Sequence, residues 1–224
     1  MSLDNKVAAI IVAAGDSQRM NGVDKMFAPV GAKRVLWRVL ETFNKCKKID
    51  QIIVVMSSKN IEDCRRMVAE FRWAKVTDIC LGGKRRQDSV AEGLTRLKEA
   101  AWVVIHDGAR PLVSIDLIER GLEAAKETGA AVAALPVTDT IKVVQAGEIV
   151  RQTLPRQNLR AVQTPQVFRY DIIKNTYKFT PGDYTDDASL VEKAGYKVKL
   201  YMGAYDNIKI TTPDDLAMAE GLLK

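Results

Sequence analysis

Short apolar runs alternate with stretches of helical periodicity along most of this chain. Val7–Ala14 is unbroken apolar sequence, short enough for a strand buried on both faces. Gly15 ends it, and Asp16, Ser17, Gln18, Asn21 and Gly22 follow as loop formers that allow tight or left-handed backbone. Val35, Leu36, Val39, Leu40 and Phe43 recur at helical spacing, which predicts an amphipathic helix over Val35–Cys46. Ile52–Met56 predicts a second buried strand. Ile61–Phe71 predicts a helix with Arg65, Arg66 and Glu70 outside. Lys75–Leu81 reads as a short strand leading to Gly82-Gly83, with a helix over Val90–Leu97 beyond. Trp102–His106 is another core strand. Ser114 caps a helix that runs to Thr128 and stops at Gly129, and Ala130–Val137 is a further apolar strand. Strands alternating with helices imply a largely parallel sheet covered on both faces.

The pattern breaks between Thr138 and Gln163. Thr140–Val144 and Glu148–Leu154 are alternating segments around Gln145-Ala146-Gly147, which reads as a β-hairpin. An isolated hairpin is only marginally stable in water, so it must pack on something. A second copy of the chain is the economical partner; folding back on its own domain is the alternative. After Gln163–Phe168 comes a helix around Tyr170–Tyr177. Thr185-Asp186-Asp187-Ala188 starts another, which ends at Gly195, and Lys197–Tyr201 is a strand. Thr212 as cap with Pro213 behind it opens a last helix carrying Leu216, Met218, Ala219 and Leu222. No repeat, low-complexity stretch or linker divides the chain. One domain over 1–224 is expected, with the hairpin region 138–163 inside it.

Composition narrows the chemistry. A chain of 224 residues that is 47% hydrophobic suits one α/β domain with a full core. No apolar run reaches the length of a membrane span, no signal peptide opens the sequence, and no membrane partner is expected. Cys46, Cys64 and Cys80 are odd in number and widely spaced. They fit neither a disulfide framework nor a zinc site, and point to a reducing cytoplasm. With His106 the single histidine, a Ser-His-Asp triad is a poor reading. The net charge of +6 permits nucleic-acid binding, and phosphorylated small substrates explain it equally well. Against a nucleic-acid partner, the basic residues are scattered and not interleaved with aromatic stacking platforms.

In parallel α/β sheets, ligands bind beyond the carboxyl ends of the strands. The polar clusters Ala14–Lys25, Gly82–Ser89 and His106–Arg110 fall there, with Thr185–Asp187 and Asp206–Lys209 as candidates to join them. Arg19, Lys25, Arg86, Arg110 and Lys209 are the candidate cations among them, with Asp107 and Asp206 as candidate carboxylates. Five such cations around two such acids suit a triphosphate, a divalent metal and a second phosphate better than they suit a protease or glycosidase. The loop after the first strand has neither the G-x-x-x-x-G-K-[ST] nor the G-x-G-x-x-G pattern. Spacing alone does not separate a phosphate cradle there from an ordinary β-to-α turn with two solvated cations. Asp107 at a strand end suits a Mg²⁺-associated carboxylate, but taken alone it reads first as an Asx turn feeding the loop. A glycosyltransferase reading lacks a D-x-D motif at a strand end.

The loop resembles the A-A-G-x-G-x-R-M…K signature of nucleotidyltransferases at Ala13, Ala14, Gly15, Arg19, Met20 and Lys25, with Ser17 where the family has its second glycine. GG-K-R-R-Q-D-S, HDGARP, PVTDTIK, R-x-x-L-x-x-V-Q-T-P-Q, TDDAS and DNIKIT-x-P-DDL follow in order. As a set they resemble the 2-C-methyl-D-erythritol 4-phosphate cytidylyltransferase family over nearly the whole chain. The resemblance implies a Rossmann-like three-layer α/β/α fold of the nucleotide-diphospho-sugar transferase type. Its sheet would be mixed and mostly parallel, with a β-arm at 138–163 forming a homodimer. It implies transfer of a cytidylyl group from CTP, with Mg²⁺, to a polyol phosphate. That acceptor is methylerythritol phosphate, or ribitol 5-phosphate in a sister family with similar motifs. By position, Arg19 and Lys25 match residues that stabilise charge at the reacting phosphate. Arg156 and Lys209 match those that position the acceptor. Thr140, Thr164 and Thr185 match further sugar-phosphate contacts, with Thr140 and Arg156 reaching the partner's site. Ala13, Ala14, Gly15, Gly83 and Ser89 match nucleotide contacts. Arg86 and Arg110 join the substrate-binding set, and Asp107 matches a residue of the sugar or metal region.

Overall fold

The opening apolar run becomes β1 (Val7–Ala13), an interior strand of a seven-stranded sheet. A computed structural model describes residues 6–15, 20, 24–180 and 182–223. Arg19, Ser17 and the rest of the polar loop at 16–19 and 21–23 lie outside the described residues. A two-stranded ribbon, β2 (Pro29–Val30) and β3 (Lys33–Arg34), leads into α1 (Val35–Lys45). The alternation continues through β4 (Gln51–Met56), α2 (Ile61–Phe71), β5 (Val76–Leu81), α3 (Arg86–Thr95), β6 (Trp102–Asp107), α4 (Ile115–Thr128) and β7 (Ala130–Pro136). Then come β8 (Lys142–Gln145), β9 (Ile149–Thr153), β10 (Arg160–Arg169), α5 (Tyr170–Phe179), α6 (Asp187–Lys193), β11 (Lys199–Met202) and α7 (Pro213–Leu222).

The sheet order is β11-β7-β10-β6-β1-β4-β5. β5, β4, β1 and β6 run parallel, as do β7 and β11, while β10 is antiparallel to both its neighbours. Strand residues alternate between two cores, as the two-residue period of a strand requires. Ala9, Ile11, Val54 and Val104 face the apolar stripes of α1, α2 and α4. Ala8, Ile10, Val55 and Ile105 face Val90 and Leu94 of α3 and Ile172 and Ile173 of α5. Both faces are therefore covered, which is why the parallel strands read as continuous apolar runs.

Three expectations need correction. The segment Gln163–Phe168, to which the hydrophobic pattern assigned no element, lies in β10, the longest strand. Pro165 and the buried polar side chains of Gln163, Thr164 and Gln166 hide its period, and a register shift against β7 falls between Val162 and Gln166. Residues 160–163 consequently belong to the central sheet, so the protruding arm is shorter than 138–163. α3 starts at Arg86, so Arg86 and Ser89 stand on a helix and not in the loop before it. α7 carries its apolar residues unevenly: Ala219 is buried, while Met218 is 57% exposed.

The predicted stop of α4 holds in detail. Gly129 has φ +82°, and its N–H returns to Ala125 O at 2.7 Å. A Cβ there would also stand 2.5 Å from Ile172 Cδ1. Gly195 has φ +88° with open space around it, so it isolates the backbone contribution. Gly195→Ala is expected to cost about 1–2 kcal/mol, the usual left-handed penalty. Gly129→Ala should cost measurably more in urea unfolding, and equal losses would refute the steric part of this reading.

Candidate active site

At the carboxyl ends of β1, β5 and β6 the chain leaves a pocket lined by Ala14, Gly15, Lys25, Gly83, Arg86 and Asp107, with Lys209 closing one side. The tight approach of the β5 end to the β1 end explains the glycine at 82. A Cβ on Gly82 would lie 2.4 Å from Ala14 Cβ and 2.7 Å from Ser89 Oγ. Ser89 is buried, and its Oγ accepts the Gly83 N–H at 3.2 Å, which ties the loop to the first turns of α3. Lys25 sits on a turn built by Asp24. Asp24 Oδ1 accepts the Met26 N–H at 2.9 Å, its carbonyl accepts those of Phe27 and Ala28, and Asn60 Nδ2 donates to Oδ2.

Asp107, the last residue of β6, is the acid around which cations gather. Arg86 Nε donates to its Oδ1 at 3.0 Å, Lys209 Nζ lies 2.8 Å from Oδ2, and Arg110 Nε lies 3.9 Å from Oδ2. Burial alone would raise the Asp107 pKa, but Arg86, Lys209 and Arg110 together hold it far below the carboxylate range. Arg86 also reaches Asp187, with Nη1 2.8 Å from Oδ2. Burial works against its charge, yet the two carboxylates raise its pKa. Among the described residues Lys25, Lys84, Arg85, Arg86 and Lys209 line the pocket against the one acid Asp107, a balance that favours polyanions.

The loop bearing Lys209 is fastened by buried amides. Asn207 Nδ2 donates to Thr164 O at 2.8 Å, and Gln163 Nε2 donates to Ala204 O at 3.0 Å. Arg110 Nη1 donates to Asn207 O at 2.7 Å, and Ile210 N donates to Ala109 O at 2.8 Å. Thr164 does more than expected of a sugar contact. Its Oγ1 accepts the Asp107 N–H at 3.0 Å and lies 3.0 Å from His106 Nδ1. A second pocket, lined by Arg110, Arg160, Thr164, Gln166, Thr185 and Asp186, shares Arg86, Asp107 and Lys209 with the first. Those three side chains form the wall between two cationic hollows.

Most expected site residues thus converge: Ala14, Gly15, Lys25, Gly83, Arg86, Ser89, Asp107 and Lys209 at the first pocket, and Arg110, Thr164 and Thr185 at the second. Ala13 is a core residue at 1% exposure, so only its backbone could serve a ligand. Thr140 and Arg156 are exposed on the arm and line neither pocket. Asp206 is exposed and lines neither. Asp187, Arg160, Gln166 and Asn207 were assigned no role from the sequence. Asp187, Gln166 and Asn207 lie inside the TDDAS, V-Q-T-P-Q and DNIKIT motifs, so a signal was present for them; Arg160 falls on an unspecified position of its motif.

Comparison with known proteins decides the family. Residues 7–224 match the family described as IspD, 2-C-methyl-D-erythritol 4-phosphate cytidylyltransferase. The chain belongs to this family. A cytidylyltransferase of that name from Dehalococcoides mccartyi strain 195 is 53% identical over 224 residues, covering 100% of this chain and 99% of the relative. Another, from Alkaliphilus metalliredigens, is 44% identical over 100% of this chain and 95% of its own. Among solved structures, the 4-diphosphocytidyl-2C-methyl-D-erythritol synthase of Anaerococcus prevotii superposes with a TM-score of 0.86 at 31% identity. It covers 99% of this chain and 97% of its own. These are mixed α/β nucleotidyltransferases, the fold that the resemblance implied.

The donor set of this cytidylyltransferase-family site does not fit a protein-held magnesium ion. Among the described residues Asp107 is the single carboxylate lining the first pocket, and both its oxygens are engaged by cations. Among the described residues no group of three or more His, Cys, Asp or Glu could hold a metal.

His106 is fully buried, and burial pushes its pKa from 6.5 down to about 3. The neutral ring therefore stabilises the fold above the unfolded value, and stability falls as pH drops from 6.5 towards 3. Between pH 6.5 and 5 the expected loss is about 1.5 kcal/mol. His106→Gln should flatten urea-derived stability over that window, even if its absolute value drops; an unchanged slope would refute the assignment.

Proposed function

We propose that the two hollows hold the two substrates of a direct displacement, with Arg86, Asp107 and Lys209 between them. The reaction is cytidylyl transfer from CTP to 2-C-methyl-D-erythritol 4-phosphate, a step of isoprenoid biosynthesis that gives 4-diphosphocytidyl-2-C-methyl-D-erythritol and diphosphate. The observation that carries the residue assignment is the shared cationic wall.

An acceptor phosphate oxygen attacks the α-phosphorus of CTP. The bond from that phosphorus to the bridging oxygen breaks, and diphosphate leaves with the electron pair. No protein nucleophile and no proton transfer from the chain is needed, so catalysis is positioning and charge stabilisation. In this reading Ala14, Gly15, Gly83 and Ser89 form the nucleotide side, and the Ala13 backbone contributes at the strand end. Arg19 and Lys25 neutralise charge at the reacting phosphate. Lys209 stands beside both hollows and aims the acceptor, with Arg110, Thr164 and Thr185 on its far side. Asp107 orders these cations, and no step is routed through a metal.

Arg156 and Thr140 enter through a homodimer. Their arm forms a two-stranded sheet of its own, and Ile141, Val144, Ile149 and Val150 stand 36–59% exposed on it. Such a surface suits a second copy, whose site would receive Arg156 and Thr140. We place the reaction in the cytoplasm because all three cysteines are buried, free thiols.

Diphosphate release measured with CTP and each of methylerythritol phosphate and ribitol 5-phosphate tests the reading; turnover confined to the ribitol substrate would overturn it. Lys25→Ala and Lys209→Ala are each expected to lower kcat about 100- to 1000-fold, on the scale of losing one oxyanion contact. Near-normal turnover in either variant removes its assigned role. Mixing inactive Lys25→Ala and Arg156→Ala subunits at equal ratio should restore about a quarter of wild-type turnover, because half the dimers carry one intact site. No recovery after proven subunit exchange would defeat the shared site.

A further inference from the structure

Asp187 is a fully buried acid that the proposed reaction does not use. It is the first residue of α6, yet it does not cap that helix. Asp186 does so, with Oδ1 accepting the Ser189 N–H at 3.0 Å. Nor does Asp187 line either pocket. Its two oxygens turn inward instead. Oδ2 accepts from Arg86 Nη1 at 2.8 Å, and Oδ1 accepts from the Tyr177 hydroxyl at 2.6 Å. Tyr177 belongs to α5 and Arg86 to α3, so this carboxylate joins elements that lie behind the pocket wall.

A buried ion pair is weak evidence for stability, since desolvation offsets much of its attraction. What this pair fixes is geometry. The Arg86 guanidinium is divided between two acids: Nε serves Asp107, Nη1 serves Asp187, and buried Nη2 has no hydrogen-bond partner among the described residues. An arginine beside a single carboxylate prefers a two-pronged grip on it. Without Asp187, Arg86 would close on Asp107 with both prongs and draw that carboxylate away from Lys209, which now stands 2.8 Å from Oδ2.

We propose that Asp187, held by Tyr177, is a positioning residue of the transfer reaction. It keeps Arg86 from capturing Asp107, and so sets where Lys209 meets the acceptor phosphate. The effect travels from Tyr177 through Asp187, Arg86 and Asp107 to Lys209, the residue that aims the acceptor in this reading. This inference rests on the cytidylyltransferase reading of the site, and wild-type turnover in the same assay tests that reading separately.

The experiment is steady-state kinetics on the full chain. Asp187→Asn keeps the size and the Tyr177 contact but loses the charge. It should lower kcat about 10- to 100-fold while the KM for CTP stays within about twofold. In an Arg86→Gln background the same substitution should cost nothing further, because its only route to the site is gone. A purely structural lesion would instead multiply with Arg86→Gln and weaken both substrates alike. Losses that multiply, or an Asp187→Asn enzyme with turnover within twofold of wild type, would overturn the proposal. If Asp187→Asn fails to fold, Tyr177→Phe decides by the same cycle. It should lower kcat about 3- to 10-fold in the wild-type background and not at all beside Arg86→Gln; equal losses in both backgrounds, or none in either, would overturn it.

Discussion

One carboxylate decides how the cationic side chains of this site are spaced. Asp107 ends β6, and its backbone is fixed by strand pairing with β1 on one side and by the Thr164 hydroxyl on the other. Core packing of Val103, Val104 and Ile105 on both sheet faces therefore sets where its charge stands. Arg86, Arg110 and Lys209 would repel one another without it, and two of them are too buried to escape into solvent. With it they form an ordered wall that can hold phosphates on two sides. The route from sequence to chemistry is short: apolar strand, acid at the strand end, cations arranged by that acid.

Much of this was legible in the sequence because parallel strands buried on both faces leave no ambiguity of period. Val7–Ala14 and Ile61–Phe71 kept their expected positions, and Ser114, Gly129, Thr212 and Pro213 marked helix ends through local backbone chemistry. Lys25, Arg86, Asp107 and Lys209 were legible as a set because they sit at a strand end or in the loops and first turns beyond one. What stayed hidden depended on contacts distant in the chain. β10 carries polar side chains into the interior because Gln163 and Gln166 satisfy loop backbone and the start of α6. No periodicity rule can register a glutamine buried for that reason. Asp187 looked like one more acid at a helix start, and its partners Arg86 and Tyr177 lie 101 and 10 positions away.

The reversed strand has a further consequence. β7 runs up to Pro136 and β10 starts down from Arg160, and these two residues are register partners. The arm between them is thus rooted at the ligand edge of the sheet and not at its far end. Thr164, four positions below that root, touches Asp107 and His106 directly. Four positions along β10 thus separate the base of the arm from the side chain that touches Asp107, whereas the parallel strands β1, β4 and β5 lie off that line. The arm and the pocket therefore share one strand end, so whatever fixes the position of the arm also bears on the residue that touches Asp107.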